Sequence, residues 1–275
     1  MLFGEDYTID DIIWMGPQPS LAEQAQQVGV TRTAGLAQLA ETVKKAIAQG
    51  RKIHYLPPYR GEVTLMLCEL LGLQPAALKE QVSVELAKAV VALREIKEQD
   101  EIDEIERACT IGTKMHLQVM QMCRPGVVEQ EIAGAIDGIA RQYGAGVSFL
   151  SIVSQNGETL HNHNHGNVLE SGRLLLVDAG AETNMNYCSD FTRTIPVNGK
   201  FTARQKAIYD IVLAANSRTF ELAKPDLFYW QMHNEAARII ADGLKELGLM
   251  QGNMEDTVAC GAQALFMPHG LGHQI

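Results

Sequence analysis

Two aspartates hold the most chemically informative positions in this chain. Asp178 closes the apolar run Leu174-Leu-Leu-Val-Asp178-Ala-Gly180, and Asp190 opens the return run Asp190-Phe-Thr-Arg-Thr-Ile-Pro196. Leu174, Leu176 and Asp178 alternate onto one face of the first run, and Asp190, Thr192 and Thr194 alternate likewise on the second. Folded back as a hairpin, the two runs bring the carboxylates together at the end of a buried sheet. Such a pair repels and loses hydration, so it needs a shared proton, a basic partner or a metal cation. Metal is the preferred reading, although by spacing alone a strand-ending Asp178 and a turn residue at Asp190 account for the pattern equally well.

Histidines supply the next candidates. In His161-Asn-His163-Asn-His165 three imidazoles fall on one side if the segment is extended, which suits either a metal-binding patch or a polar loop. Near the end, Phe266-Met-Pro-His269-Gly-Leu-Gly-His273 spaces two histidines four apart. Pro268, Gly270 and Gly272 make a regular helix a poor explanation for that spacing, while glycines suit a backbone passing close to a bound group. The bare pair does not decide for metal. His54 and His233 stand alone and read as structural. Cys68, Cys109, Cys123, Cys188 and Cys260 are scattered and odd in number, with no C-x-x-C pair, so they read as core thiols.

The combination and order of Val177-Asp-Ala-Gly180, Asp190-Phe-Thr-Arg-Thr194, Pro196-Val-Asn-Gly-Lys-Phe-Thr202 and Phe266-Met-Pro-His269-Gly-Leu-Gly-His273 resembles the pita-bread metallopeptidases, in their Xaa-Pro aminopeptidase and prolidase branch. The resemblance implies an α/β fold of the α+β kind: a partial creatinase-like N-terminal α/β domain over residues 1–92, then a pita-bread catalytic domain over 93–275, truncated at its C-terminus. It implies two divalent metal ions, with Asp178 chelating one, Asp190 bridging both and His273 binding the other. Mostly oxygen ligands with one imidazole suit manganese, and zinc, cobalt or iron fit the same cage. His161, seventeen residues before Asp178 as in the aminopeptidase motif, and His269 would be catalytic, donating hydrogen bonds where negative charge develops on the substrate. The implied reaction is hydrolysis of the bond between an N-terminal residue and a following proline, by a water that the ions activate. The alternatives are an Xaa-Pro dipeptidase (prolidase), a creatinase-like hydrolase without metal and a non-catalytic binding module. Two glutamate ligands and a further histidine of the family pattern are not in the sequence, which therefore reads as an internal fragment expected to hold metal weakly and turn over poorly. The Asp178 to Asp190 interval is one residue longer than in many members, which implies a longer hairpin tip with unmoved ligands.

Composition bounds the rest. With 275 residues, 46% hydrophobic, the chain can bury one or two cores. A net charge of -10 argues against nucleic acid as a partner. Neither a membrane-length apolar run nor a basic leader is present, so a cytoplasmic protein is expected, with proline-containing peptides as substrates. The resemblance implies a homo-oligomer at full length. Residues 1–92 read as alternating short strands and helices. Ile12-Ile-Trp14-Met is a short apolar run, Ser20 with Glu23 is a capping box, and Lys52 to Leu56 is a strand. Beyond them, a helix from Glu98 to Met122 buries the stripe Ile102, Ile105, Cys109, Met115, Val119 and Met122, and a second carries Ile132, Ile136 and Ile139 inward. Val147 to Val153 reads as one strand. Thr202 with Gln205 caps a helix from Ala203 to Leu222, and a last helix runs from about Phe228 to Leu247 with Asp226 as its cap.

Overall fold

The computed structural model describes residues 1–273, and the chain divides into two compact units, Met1–Ile96 and Lys97–Ile275. In the first unit a short parallel pair, β1 (Leu2–Phe3) with β2 (Thr33–Ala34), accompanies six helices. These are α1 (Ile9–Met15), α2 (Leu21–Gln27), α3 (Gln38–Ala48), α4 (Gly61–Leu71), α5 (Pro75–Glu80) and α6 (Val84–Arg94). Ser20 and Glu23 form the expected capping box of α2. The apolar run Ile12–Met15 is helical, because Thr8 and Asp11 make a capping box that starts α1 ahead of it. Lys52 to Leu56 is not a strand. Side chains hold it instead: His54 Nδ1 lies 2.6 Å from the Ser83 hydroxyl, and the Tyr55 hydroxyl donates to the Leu78 carbonyl at 3.0 Å.

The second unit opens with two long helices, α7 (Gln99–Met122) and α8 (Glu129–Tyr143). Five strands follow: β3 (Gly146–Val147), β4 (Ile152–Ser154), β5 (Leu174–Ala179), β6 (Ala181–Glu182) and β7 (Phe191–Pro196). Strands β4, β5 and β7 form one antiparallel sheet in that order, and β3 pairs with β6. Leu175, Val177 and Ala179 of β5 are fully buried in a cluster with Met115, Val119, Ile132 and Ile136 of the two helices. Each such aliphatic side chain contributes about 1.5–3 kcal/mol when removed from water. A one-residue slip of β5 would turn all three outward, so the register is strongly specified. The alternate residues Leu174, Leu176 and Asp178 consequently take the opposite face, which is only half-buried.

Two expectations about these elements change. The buried stripe of α7 is Ala108, Ile111, Gly112, Met115, His116 and Val119, while Ile102 is exposed. Met115 and Val119 are buried as expected and Met122 packs against the same core, whereas Ala108, Ile111 and Gly112 join them and Ile102, at the helix start, falls outside. Residues 147–153 make two strands rather than one. Gly146 pairs with Glu182 and Ile152 with Asp178, so six steps on one side face four on the other and the surplus bulges out. Ser148 occupies that bulge, its N–H donating to the Gly180 carbonyl at 3.1 Å and its hydroxyl to the Ser189 carbonyl at 2.8 Å.

At the hairpin tip the Thr183 N–H bonds to the Tyr187 carbonyl at 2.8 Å and the Asn186 N–H to the Thr183 carbonyl at 2.9 Å, with Asn186 at φ 64°. This is a turn closed by a left-handed residue, and asparagine tolerates that conformation. Beyond the sheet, α9 (Ala203–Leu222), capped by Thr202 and Gln205 as expected, packs on α10 (Tyr229–Glu246). The N-cap of α10 is Phe228, with Gln231 bonding back to it; Asp226 instead adopts φ 67° in the preceding turn. A short helix α11 (Met254–Ala259) and a 3-10 turn (Ala262–Leu265) lead into the last described segment.

Gly180 separates β5 from β6, and a Cβ there would lie 1.8 Å from the Ser189 carbonyl oxygen. We expect Gly180→Ala to destabilise the second unit by about 1–3 kcal/mol or more, roughly 2–4 °C in Tm for each kcal/mol. Gly134→Ala, in open space on α8, is expected to be neutral or to stabilise by up to about 1 kcal/mol. Thermal unfolding of both variants checks the pair, and a tolerated Gly180→Ala would contradict the described crossing.

Candidate metal centre

The strand register decides where the carboxylates go. Asp178 stands opposite Thr192 and Ala179 opposite Phe191, so Asp190 falls one step further along β7, on the same face as Asp178 and diagonal to it. Asp178 is half-buried and Asp190 exposed. Burial pushes the Asp178 carboxyl above the usual carboxylate range, and the neighbouring Asp190 charge pushes it further. A hydrogen bond from Thr192 and the charge of His161 pull in the opposite direction. One oxygen of Asp178, Oδ1, is buried and has no hydrogen-bond partner. A buried carboxylate oxygen with an anion for a neighbour is the environment a cation relieves.

The imidazole of His273 arrives from the far end of the chain. Met267 is buried in the cluster of Ala215, Ala236, Ala237, Ile240 and Leu244 between α9 and α10, and Leu271 packs against the same cluster. These two anchors fix the segment that carries the histidines. Gly272 passes under Tyr229, where a Cβ would lie 2.9 Å from the phenol oxygen. His273 Nε2 then sits 3.1 Å from Asp190 Oδ2.

Asp190 thus touches Asp178 on one side and His273 on the other, with His161 within electrostatic reach of Asp178. His269 is exposed, and its Nδ1 lies 2.7 Å from the Gly270 carbonyl. The other members of the histidine run diverge: His165 Nε2 lies 3.1 Å from the Ser151 carbonyl, and His163 is exposed. Among the described residues, no three His, Cys, Asp or Glu side chains stand around a common point as a finished ion cage. The donor set still fits a divalent ion chemically, since the carboxylate pair supplies charge and Asp178 Oδ1 a vacant acceptor.

Sequence reasoning did not assign two contributors. Thr192 supports Asp178 across the strand pair; its signal was the shared alternation with Asp190 and Thr194. His116 lies buried on the underside of the sheet, Nε2 3.4 Å from the Ala179 carbonyl, edge-on to Phe191 at 6.1 Å between ring centroids. Burial holds its imidazole below the ordinary range. Nothing in an isolated helical histidine announces that placement.

A carboxyl whose folded pKa lies above its unfolded value opposes folding once ionised. That penalty is absent below the unfolded pKa of about 3.9 and complete above the raised folded value. In protein stripped of divalent ions, Asp178→Asn is therefore expected to raise Tm at neutral pH, the gain disappearing as pH falls below about 4. Thermal unfolding across pH in the presence of a chelator measures this, and a lower Tm for the variant at neutral pH would contradict the described electrostatics.

The chain matches metallopeptidase family M24 over residues 103–275. It is 37% identical over 184 residues to the Xaa-Pro aminopeptidase of Escherichia coli strain K12, covering 66% of this chain and 42% of that protein. It is 30% identical over 263 residues to the Xaa-Pro aminopeptidase of Haemophilus influenzae, covering 94% of this chain and 60% of that protein. The chain therefore spans about half the length of these curated relatives. Among solved structures, Pseudomonas aeruginosa aminopeptidase PepP superposes with a TM-score of 0.83 at 25% identity, over 99% of this chain and 63% of that one. A zinc-substituted Escherichia coli aminopeptidase P in complex with product gives a TM-score of 0.83 at 28% identity, over 98% of this chain and 63% of that one. The expected pita-bread architecture is the fold these structures share with the chain, and the chain belongs to metallopeptidase family M24.

Proposed function

We propose that the protein is an Xaa-Pro aminopeptidase, cleaving the bond between an N-terminal residue and a following proline. The observation that supports this reading is the contact of Asp190 with both Asp178 and His273, with Asp178 Oδ1 buried and unpartnered, in a chain whose relatives bear that name. Asp178, Asp190 and His273 would hold a pair of divalent ions, manganese by the balance of oxygen over nitrogen donors. Bound there, the ions supply Lewis acidity toward the scissile carbonyl and an activated water.

The chain's own residues divide the remaining work. Thr192 orients Asp178 by its hydrogen bond and favours the ionised form that a ligand needs. Asp190, in contact with both Asp178 and His273, ties the two halves of the site together. His161, exposed and within electrostatic reach of Asp178, would donate a hydrogen bond to the substrate carbonyl as negative charge develops on it. His269, exposed four residues before His273, serves the same end from the opposite segment. No helix among the described residues is long and apolar enough to cross a membrane, which suits a site open to peptides in water.

The test is hydrolysis of Xaa-Pro-Xaa peptides by the full-length protein with manganese added. Cleavage before proline is expected, abolished in Asp190→Asn, with kcat reduced roughly 100-fold or more in His161→Ala. Cleavage of Xaa-Pro dipeptides alone would make the protein a prolidase. Undiminished activity in Asp190→Asn would remove the bridging role.

A further inference from the structure

Residues 155–168, between β4 and β5, carry His161 and are built around a carboxyl group that the proposed chemistry leaves unused. Glu129, the first residue of α8, is fully buried. Its Oε1 accepts from the Gln155 N–H at 2.7 Å, and its Oε2 accepts from the Asn167 side-chain amide at 2.9 Å and the Asn167 N–H at 3.4 Å. Gln155 and Asn167 lie at the two ends of the loop, so one side chain clamps its base. The backbone closes the same gap: the Glu129 N–H donates to the Asn167 carbonyl at 3.0 Å and the Gln130 N–H to the His165 carbonyl at 2.9 Å. Here the amino end of α8 favours negative charge.

Further bonds add to the clamp: Arg173 donates to the Gln155 carbonyl at 3.0 Å and to the Asn156 side-chain oxygen at 2.6 Å. The Ser154 hydroxyl accepts from the Asn156 N–H at 3.0 Å and the Asn162 amide at 3.2 Å, and the Gln155 amide donates to the Val168 carbonyl at 2.9 Å. His161 itself is exposed yet close enough to Asp178 for its charge to favour the carboxylate. An exposed imidazole stays within that reach only if the loop beneath it is held.

We propose that Glu129 is the positioning residue for His161, holding the loop so that the imidazole faces the substrate side of the carboxylate pair. The role assigned to His161 rests on the peptidase reading; the clamp does not. Losing a hydrogen bond to a charged group loosens a segment by roughly tenfold or more, while a carboxyl serving only general stability would not single out His161.

The experiment takes Glu129→Gln and Asn167→Ala, each alone and combined with His161→Ala, in the full-length protein. Amide hydrogen exchange over residues 156–166, referenced to β5, is expected to rise roughly tenfold or more in both single variants while β5 stays unchanged. Loop exchange that keeps its wild-type rate overturns the clamp. With Xaa-Pro peptides, kcat is expected to fall with KM near the wild-type value, and neither change should cost anything further once His161 is alanine. Additive losses overturn the positioning of His161, because Glu129 would then act by another route. If the wild type cleaves no Xaa-Pro peptide, the peptidase reading fails, and the exchange rates together with the His161 ring resonances still decide the clamp: ring resonances unmoved in both variants overturn it. Should Glu129→Gln not fold, Asn167→Ala carries every readout.

Discussion

Burial of Leu175, Val177 and Ala179 beneath α7 and α8 is the constraint on which the second unit depends. Because side chains alternate along a strand, filling one face with these residues fixes what the other face shows. Asp178 cannot turn inward without bringing out Leu175 and Val177, and its cross-strand neighbours Thr192 and Asp190 follow from the same pairing. The hairpin crosses Ser148 and Ser189 closely enough that only glycine fits at position 180. Packing energy on one side of the sheet thus determines the chemistry on the other.

That chemistry is unfavourable in isolation. Two carboxylates share a partly buried corner, with the ionisation of Asp178 opposed first by burial and then by its neighbour. A fold selected for stability alone would replace such a pair with apolar or neutral residues. Beside His273, such a pair is what the proposed cation site would need, and membership of a metallopeptidase family agrees with that proposal. The Thr192 hydrogen bond and the charge of His161 offset part of that cost but leave Asp178 Oδ1 unpaired.

Much of this was legible in the residues, for a physical reason. Asp178 and Asp190 flank strands whose period-two pattern shows on its surface, and the Thr202–Gln205 box marks the start of α9. His273 was legible only through its surroundings, since a histidine pair among glycines has no period to read. Other features depend on contacts that no local pattern encodes. The strand expected over 147–153 breaks at Ser148, which spends its hydroxyl across the sheet, and α7 buries Ala108, Ile111 and Gly112 in place of Ile102. Lys52 to Leu56 has strand-like composition and lacks a strand beside it, while Glu129 looks like any helix-opening glutamate until the loop closes over it.

Whether the hairpin register and the anchored terminal segment assemble one cation site is read out by titrating manganese into metal-free, full-length protein and following free ion by paramagnetic resonance. Saturable binding by the wild type is expected, weakened roughly tenfold or more in each of Asp178→Asn, Asp190→Asn and His273→Ala. Equal affinity in all four proteins would place any bound ion elsewhere and rule out this site.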